Sequence, residues 1–366
     1  MSLIVFYVSG HGLGHATRSA ELIAEVLRRA PAVRVEVRTD AAPLAFARLR
    51  ASPRVAIERC RADPGVVDLD PLTVDVRETA RAAVAFYAGL DHRAAAEARY
   101  LRTRRAALVV ADAPPLGVAA AARAGLPSVV VANFTWDWIY RSAGAFASLA
   151  PGVVDIVAKA YAGATLALRL PLGGGFESCA NVRDVSFIAR RSRRERGEVR
   201  RLIGIEEGRP AVLPSFGGGL LLPLDQVERS AIQVIRPERL GLTNPAASPA
   251  RRTSLSSLRY EDLVLAADAV VSKPGYGIVS ECAANRTPLL YAPRGPFAEY
   301  DVMVREMPRV LRCKAIGRPD LMAGRWAPHL DALLAQPAPA DPPPCNGAAA
   351  AAEAILGLWR VAEAGP

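Results

Sequence analysis

Two of the chain's four histidines fall in one glycine-rich loop, Gly10-His11-Gly12-Leu13-Gly14-His15-Ala16-Thr17-Arg18. A neutral imidazole of ordinary pKa can take a proton from a hydroxyl near neutral pH. It needs an acid to orient it, and Asp112 is the candidate for either ring. A lone histidine is more often a satisfied buried residue. The setting argues otherwise here, because Gly10, Gly12 and Gly14 let a backbone approach a ligand. A helix starting just beyond would also turn free N–H groups toward an anion. The dinucleotide fingerprint fits poorly. His15 stands where its last glycine belongs, and no acid lies about 20 residues on.

A second cluster reads Val271-Ser272-Lys273-Pro274-Gly275-Tyr276-Gly277-Ile278-Val279-Ser280-Glu281. A strand running into a glycine-flanked turn and a helix could hold a diphosphate through Ser272, Gly275 and the helix N-terminus. Lys273 adds charge in a chain with three lysines, and Glu281 could accept bonds from a ribose diol. A third loop, Ser215-Phe216-Gly217-Gly218-Gly219, could pack on phosphate. Each has a plainer reading: Asp112 caps a helix starting near Pro114, Glu281 is a solvated helix residue, and the third loop is only a turn.

These residues need strand ends and helix starts to hold them. Residues 3–8 form an apolar run suited to a strand buried on both faces. Ala20, Ile23, Ala24 and Leu27 follow at helical spacing, and Val33–Thr39 reads as the next strand. The alternation recurs as strand 107–111, helix 116–124 and strand 127–132, which runs into a loop of Asn133 to Trp138. It restarts as strand 211–213, helix 261–268, strand 269–272, helix 275–284 and strand 288–292, with a polar loop at 244–257 and a last helix at 348–362. A doubly wound α/β architecture in two domains follows, with a boundary at 170 and a linker over 171–200. The length, 366 residues, suits two domains.

Aromatic residues are 6 % of the chain, too few for a surface of stacked bases, so no nucleic-acid partner is expected. The net charge of +10 comes from arginine in an Ala-, Gly- and Pro-rich chain and reads mainly as solvated surface. Residues 190–201 hold seven arginines and suggest a solvated linker and helix start, with an option of contact to an anionic membrane. Five scattered cysteines and four histidines show no metal spacing, so no metal is expected and a cytoplasmic location is. The apolar run at the N-terminus is too short for a signal peptide or a span.

The first loop, the segment Asn133-Phe134-Thr135-Trp136-Asp137-Trp138-Ile139-Tyr140 and the segment Lys273 to Glu281 resemble the N-terminal, glycosyltransferase-like half of plant L-arabinokinases. Leu72-Thr73-Val74-Asp75, Arg183-Asp184-Val185, Phe216-Gly217-Gly218 and Gly324-Arg325-Trp326 extend the resemblance over roughly the full length. At lower similarity it reaches glycosyltransferases of the GT-B fold, including the peptidoglycan N-acetylglucosaminyltransferase. No kinase phosphate loop follows, so sugar kinase activity is not expected. Pro274 replaces the family's usual isoleucine and removes one amide donor.

The resemblance implies two Rossmann-like domains facing a cleft, with residues 1–170 receiving the acceptor and 201–347 the nucleotide-sugar, UDP being the expected nucleotide. Ser215, Gly217, Gly218, Ser272, Lys273, Gly275, Tyr276, Gly277, Ser280 and Glu281 would line the donor, with Glu299 and Tyr300 near its sugar. Gly10, Gly12, Gly14, Arg18, Asn133, Trp136 and Asp137 would face the acceptor, and the helix within 348–366 would cross back to the first domain. The expected reaction is glycosyl transfer to a hydroxyl, with His15 or His11 as base and Asp112 as orienter, needing no cofactor beyond the nucleotide-sugar. An epimerase of the same fold and a non-catalytic nucleotide-sugar-binding module are the alternatives. As positions at strand ends, the histidines and Asp112 are expected to tolerate substitution without unfolding.

Overall fold

The computed structural model describes residues 1–216, 220–240, 257–295 and 297–364. The strands in chain order are β1 (Ser2–Val8), β2 (Val33–Thr39), β3 (Val55–Arg59), β4 (Asp68–Asp70), β5 (Thr73–Val74), β6 (Ala106–Asp112), β7 (Ser128–Phe134), β8 (Leu166–Gly174), β9 (Val182–Asp184), β10 (Ala211–Ser215), β11 (Gln233–Val234), β12 (Ala269–Ser272), β13 (Leu289–Tyr291) and β14 (Cys313–Ala315). Among the described residues the first sheet has the order β3-β2-β1-β6-β7-β8-β9 and the second β11-β10-β12-β13-β14. Every pairing in both is parallel. The short β4 and β5 form a separate antiparallel hairpin.

The near-continuous apolar runs of β1, β6 and β7 follow from this arrangement, because helices cover both faces of a parallel sheet. Residues of β1 from Ile4 to Val8 are fully buried. In the first sheet the strand order reverses between β1 and β6, and in the second between β10 and β12. Ligands of open α/β sheets bind at such switch points, beyond the carboxyl ends of the strands. The glycine loop after β1, Asp112 at the end of β6, Ser215 and the segment after Ser272 all sit there.

The first sheet runs through β9 to Asp184, so residues 171–184 belong to the first domain rather than to a linker. Val182–Asp184 pairs with Ala167–Arg169, which the turn-rich sequence before it concealed. The arginine run is also less solvated than expected. Arg190 pairs with Glu281, Arg194 with Glu198, and Arg196 and Arg200 with Asp268. The segment from Asn133 to Trp138 is not a loop, because β7 extends through Phe134 and a helix begins at Trp136. Residues 244–256 lie outside the described residues.

The domains share a core. One apolar cluster joins Ile4, Val35 and Leu108 of the first domain to Tyr276, Val279 and Leu289 of the second and to Ile355 of the helix Gly347–Ala364. That helix reaches the first strand, where Trp359 Nε1 donates to Ser2 Oγ at 2.9 Å. The β4–β5 hairpin crosses the other way. Leu72, 2 % exposed, packs among Val212, Phe216 and Trp326 of the second domain.

Candidate active site

Gly12 has φ +70°, a left-handed conformation that a side chain rarely adopts. It turns the chain from His11, which is extended, into the helix Gly12–Arg29. One turn in, His15 and Arg18 face the end of β6. Asp112, 2 % exposed, accepts from His15 Nδ1 at 2.9 Å, from Arg18 Nε at 3.0 Å and Nη2 at 2.5 Å, and from Ser19 Oγ at 2.5 Å. It does not cap the following helix, whose N-cap is Pro114. Burial alone would raise the Asp112 pKa, but Arg18 and His15 outweigh it and bring it down to about 2.

Arg18 Nη2 also lies 2.9 Å from His15 Nδ1. The two contacts compete for one nitrogen. The ionised carboxylate is the stronger acceptor, so Nδ1 carries the proton and Nε2 is left as the basic atom. Arg18 also donates from Nη1 to Asn133 Oδ1 at 2.7 Å. Asn133 Nδ2 donates in turn to Glu299 Oε1 at 2.7 Å, across the domain boundary. The Arg18 guanidinium lies 4.9 Å from the centre of the Tyr276 ring.

His11 meets Trp136 edge-on at 5.9 Å. Burial, then the neighbouring His15, Arg294 and Lys273, push its pKa down to about 3. Trp136 stacks on Tyr140 at 5.6 Å and donates from Nε1 to Asp63 Oδ2 at 3.0 Å. Asp63, 4 % exposed, also accepts from Ser9 Oγ at 3.0 Å. Its burial raises its pKa to about 6, against the opposing pull of His15 and its two hydrogen-bond donors. Asp63 is not evident from the sequence, since it follows a half-exposed strand and its partners Ser9 and Trp136 lie far along the chain. Asp137 does not join this group. It accepts from Ser178 Oγ at 2.7 Å instead.

In the second domain Ser215 and Ser272 are register partners at the strand ends. Ser272 Oγ donates to the Ser215 carbonyl, and the Tyr260 hydroxyl donates to Ser215 Oγ at 2.5 Å. Gly217 and Gly218 lie outside the described residues. Gly275 is the N-cap of the helix Tyr276–Asn285. This helix start meets the first one so closely that a Cβ on Gly277 would stand 3.0 Å from Gly14 Cα. The Tyr276 hydroxyl accepts from the Ile188 N–H at 3.0 Å, and Ser280 Oγ donates back to the Gly277 carbonyl at 2.9 Å. Glu281 is no solvated helix residue. It is 3 % exposed and accepts from Arg190 Nε at 2.6 Å. Glu299 is buried against Asn133, and Tyr300 packs beside the apolar cluster around Phe134 and Ile139.

The fold therefore brings His11, His15, Arg18, Asp63, Asp112, Asn133, Trp136, Tyr276 and Glu299 into one connected group. It leaves Asp137 outside and ties Ser280 to its own helix. Among the described residues no group of three or more His, Cys, Asp or Glu could hold a metal ion, and no helix is long and apolar enough to cross a membrane.

No family model matches the chain. In sequence it is 31 % identical over 339 residues to L-arabinokinase from Arabidopsis thaliana, covering 90 % of this chain and 32 % of that protein. The chain thus spans about a third of the length of this curated relative. In structure it is similar to Phytolacca americana UGT2, solved with UDP-2fluoro-glucose and pterostilbene, at TM-score 0.57 and 16 % identity over 99 % of this chain and 95 % of that one. It is similar to the glycosyltransferase SnogD from Streptomyces nogalater at TM-score 0.53 and 16 % identity over 98 % and 100 %. It matches MurG from Acinetobacter baumannii at TM-score 0.50 and 14 % identity over 98 % and 100 %.

Proposed function

On the premise that the chain has the GT-B fold and is related in sequence to part of L-arabinokinase, we propose that it transfers a glycosyl group from a nucleotide-sugar, a UDP-sugar, to a hydroxyl acceptor. The observation that carries this is the buried His15–Asp112 pair at the switch point of the first sheet, facing the start of the helix Tyr276–Asn285. His15 Nε2 takes the acceptor hydroxyl proton. The acceptor oxygen bonds to the anomeric carbon, and the bond from that carbon to the diphosphate oxygen breaks. Its electron pair leaves on the diphosphate, which the helix N-terminus and Lys273 stabilise.

His15 is preferred to His11 on two grounds. Asp112 pairs with His15, and a ring pushed down to about 3 is a weak base at neutral pH. Arg18 and Asn133, whose polar atoms are engaged inside the protein, position the base rather than touch the acceptor. Glu281 is the residue for the ribose diol, which requires Arg190 to give way. The donor enters between the two helix starts, so the Gly14–Gly277 contact opens to admit it. Ser215, Gly217, Gly218, Ser272, Gly275, Tyr276 and Ser280 belong to the same donor site, with Glu299 and Tyr300 on its sugar side. Cysteines free of disulfides among the described residues fit a reducing cytoplasm.

The test is release of UDP from a panel of UDP-sugars offered with hydroxyl acceptors, with the glycosylated product read by mass. His15→Ala is expected to lower turnover by about 10²–10⁴-fold, with His11→Ala losing less. Wild-type turnover in His15→Ala would place the base elsewhere. A changed sugar still bound to UDP would make the protein an epimerase. Binding without turnover would make it a nucleotide-sugar-binding module.

A further inference from the structure

Three cationic side chains stand at the carboxyl ends of neighbouring strands in the second sheet: Lys273 after β12, Arg294 after β13 and Arg318 after β14. Each meets a carboxylate of the β4–β5 hairpin, which belongs to the first domain. Arg294 Nη2 lies 2.9 Å from Asp68 Oδ1, Lys273 Nζ 3.9 Å from Asp68 Oδ2, and Arg318 Nη2 3.1 Å from Asp70 Oδ2. The Gly295 N–H fixes the hairpin by donating to the Leu72 carbonyl at 2.9 Å.

The two carboxylates differ. Asp70 builds its own turn, accepting from the Leu72 N–H at 2.7 Å and from Thr73 Oγ1 at 3.2 Å. The partners of Asp68 are the cations Arg294 and Lys273. They need an anion more than Asp68 supplies. The Arg294 side chain is 6 % exposed, stacks on the Phe297 ring at 4.3 Å, and keeps a buried Nε with no hydrogen-bond partner among the described residues. An orphaned N–H on a buried guanidinium is costly unless an acceptor meets it. Positive charge gathers here: Arg294 and Lys273 both help to depress the His11 pKa, and burial and Arg294 depress that of Lys273.

We propose that Arg294 and Lys273 form an anion subsite of the sugar-transfer cleft, which takes a phosphate or carboxylate group of the donor, and that Asp68 occupies this subsite until the donor displaces it. The group is a donor diphosphate or the carboxylate of an acidic sugar. Both present paired anionic oxygens to a guanidinium. Binding exchanges Asp68 for the ligand and satisfies Arg294 Nε, so the hairpin competes with the donor for the same charge. This inference rests on the nucleotide-sugar reading for its ligand, but not for the subsite.

The experiment is calorimetric titration with UDP, UDP-glucose, UDP-glucuronate and, as probes without a nucleoside, pyrophosphate and glucuronate. Asp68→Asn is expected to tighten binding several-fold, by removing the competitor. Arg294→Gln is expected to weaken it by about 10- to 100-fold, with Arg294→Lys intermediate and thermal melts reporting that each variant folds. Loss across all UDP ligands assigns the subsite to the diphosphate, and loss confined to UDP-glucuronate assigns it to the sugar carboxylate. If UDP ligands bind and neither variant changes their affinity, the subsite is refuted and the nucleotide-sugar reading stands. If no UDP ligand binds but pyrophosphate or glucuronate does, in an Arg294-dependent way, the subsite stands and that reading fails. Binding of none of these probes by folded protein overturns both.

Discussion

Replacing Asp112 by asparagine tests whether the site is held by charge. The carboxylate is 2 % exposed and meets a guanidinium that is 3 % exposed, at 2.5 and 3.0 Å. Neutralising one partner of such a pair leaves the other charge buried without compensation, at a cost of about 3–5 kcal/mol. At about 2–4 °C per kcal/mol for a domain of this size, the melting temperature should fall by about 6–20 °C. The strand-end location had suggested a tolerant position, and the burial of Arg18 beneath it overrules that. Removing both charges in Asp112→Asn/Arg18→Met should restore much of the loss, because a pair deleted together leaves no orphan. Urea melts of wild type, both single variants and the double variant close the cycle. The pH dependence adds a second reading. The folded Asp112 pKa, about 2, lies below its usual value near 4. Its contribution, about 2 kcal/mol, is present above about pH 4 and fades as pH falls through 2. A single variant costing under about 1 kcal/mol, or a double variant costing the sum of the singles, would refute the reasoning.

Asp63 should behave with the opposite sign. With its folded pKa raised to about 6, the folded state holds the proton longer, so this group's contribution is lost as pH rises from about 4 to 6. The stability difference between wild type and Asp63→Asn, followed by melting across that range, should fall with pH, and a flat difference would deny the shift. Gly277→Ala places a Cβ 3.0 Å from Gly14 Cα and should destabilise the closed form by about 1–3 kcal/mol in urea melts. Unchanged stability would mean that the helix starts stand apart in solution. Anionic liposomes should not sediment the protein at physiological ionic strength, because Arg190, Arg194, Arg196 and Arg200 have acidic partners. Salt-sensitive co-sedimentation would revive a membrane-bound acceptor.

The strands that carry the site were legible because buried parallel strands are written as unbroken apolar runs. Val33–Thr39 and 269–272 are read to the residue, and the glycine loop after β1 falls at the reversal of strand order. Between 41 and 105 only Leu72 to Asp75 was legible, and that through the family resemblance. β3 is half-exposed, and β4 and β5 are three and two residues long, so the sequence does not reveal what Asp63 and Asp68 meet. Their roles come from partners far along the chain, Trp136 at 73 residues for Asp63 and Arg294 at 226 for Asp68. Local periodicity carries no record of such pairs.

The same limit explains why the choice between the histidines looked close, with only the helix start to favour His15. In sequence both are imidazoles in a glycine loop, and three residues, Gly12 to Gly14, separate them. His15 lies one turn into the Gly12–Arg29 helix, where Asp112 can reach Nδ1. His11 precedes the helix, against Trp136 and the cations of the second domain. The carboxylate that orients His15 is itself held by Arg18, which is braced through Asn133 to Glu299. Four hydrogen-bonded steps therefore connect the orientation of His15 to the helix that carries Glu299. The Asn133–Glu299 bond is the step in this chain that joins the first half of the sequence to the second. In the proposed function the base is therefore held by hydrogen bonds between residues that the sequence scatters over 18, 112, 133 and 299.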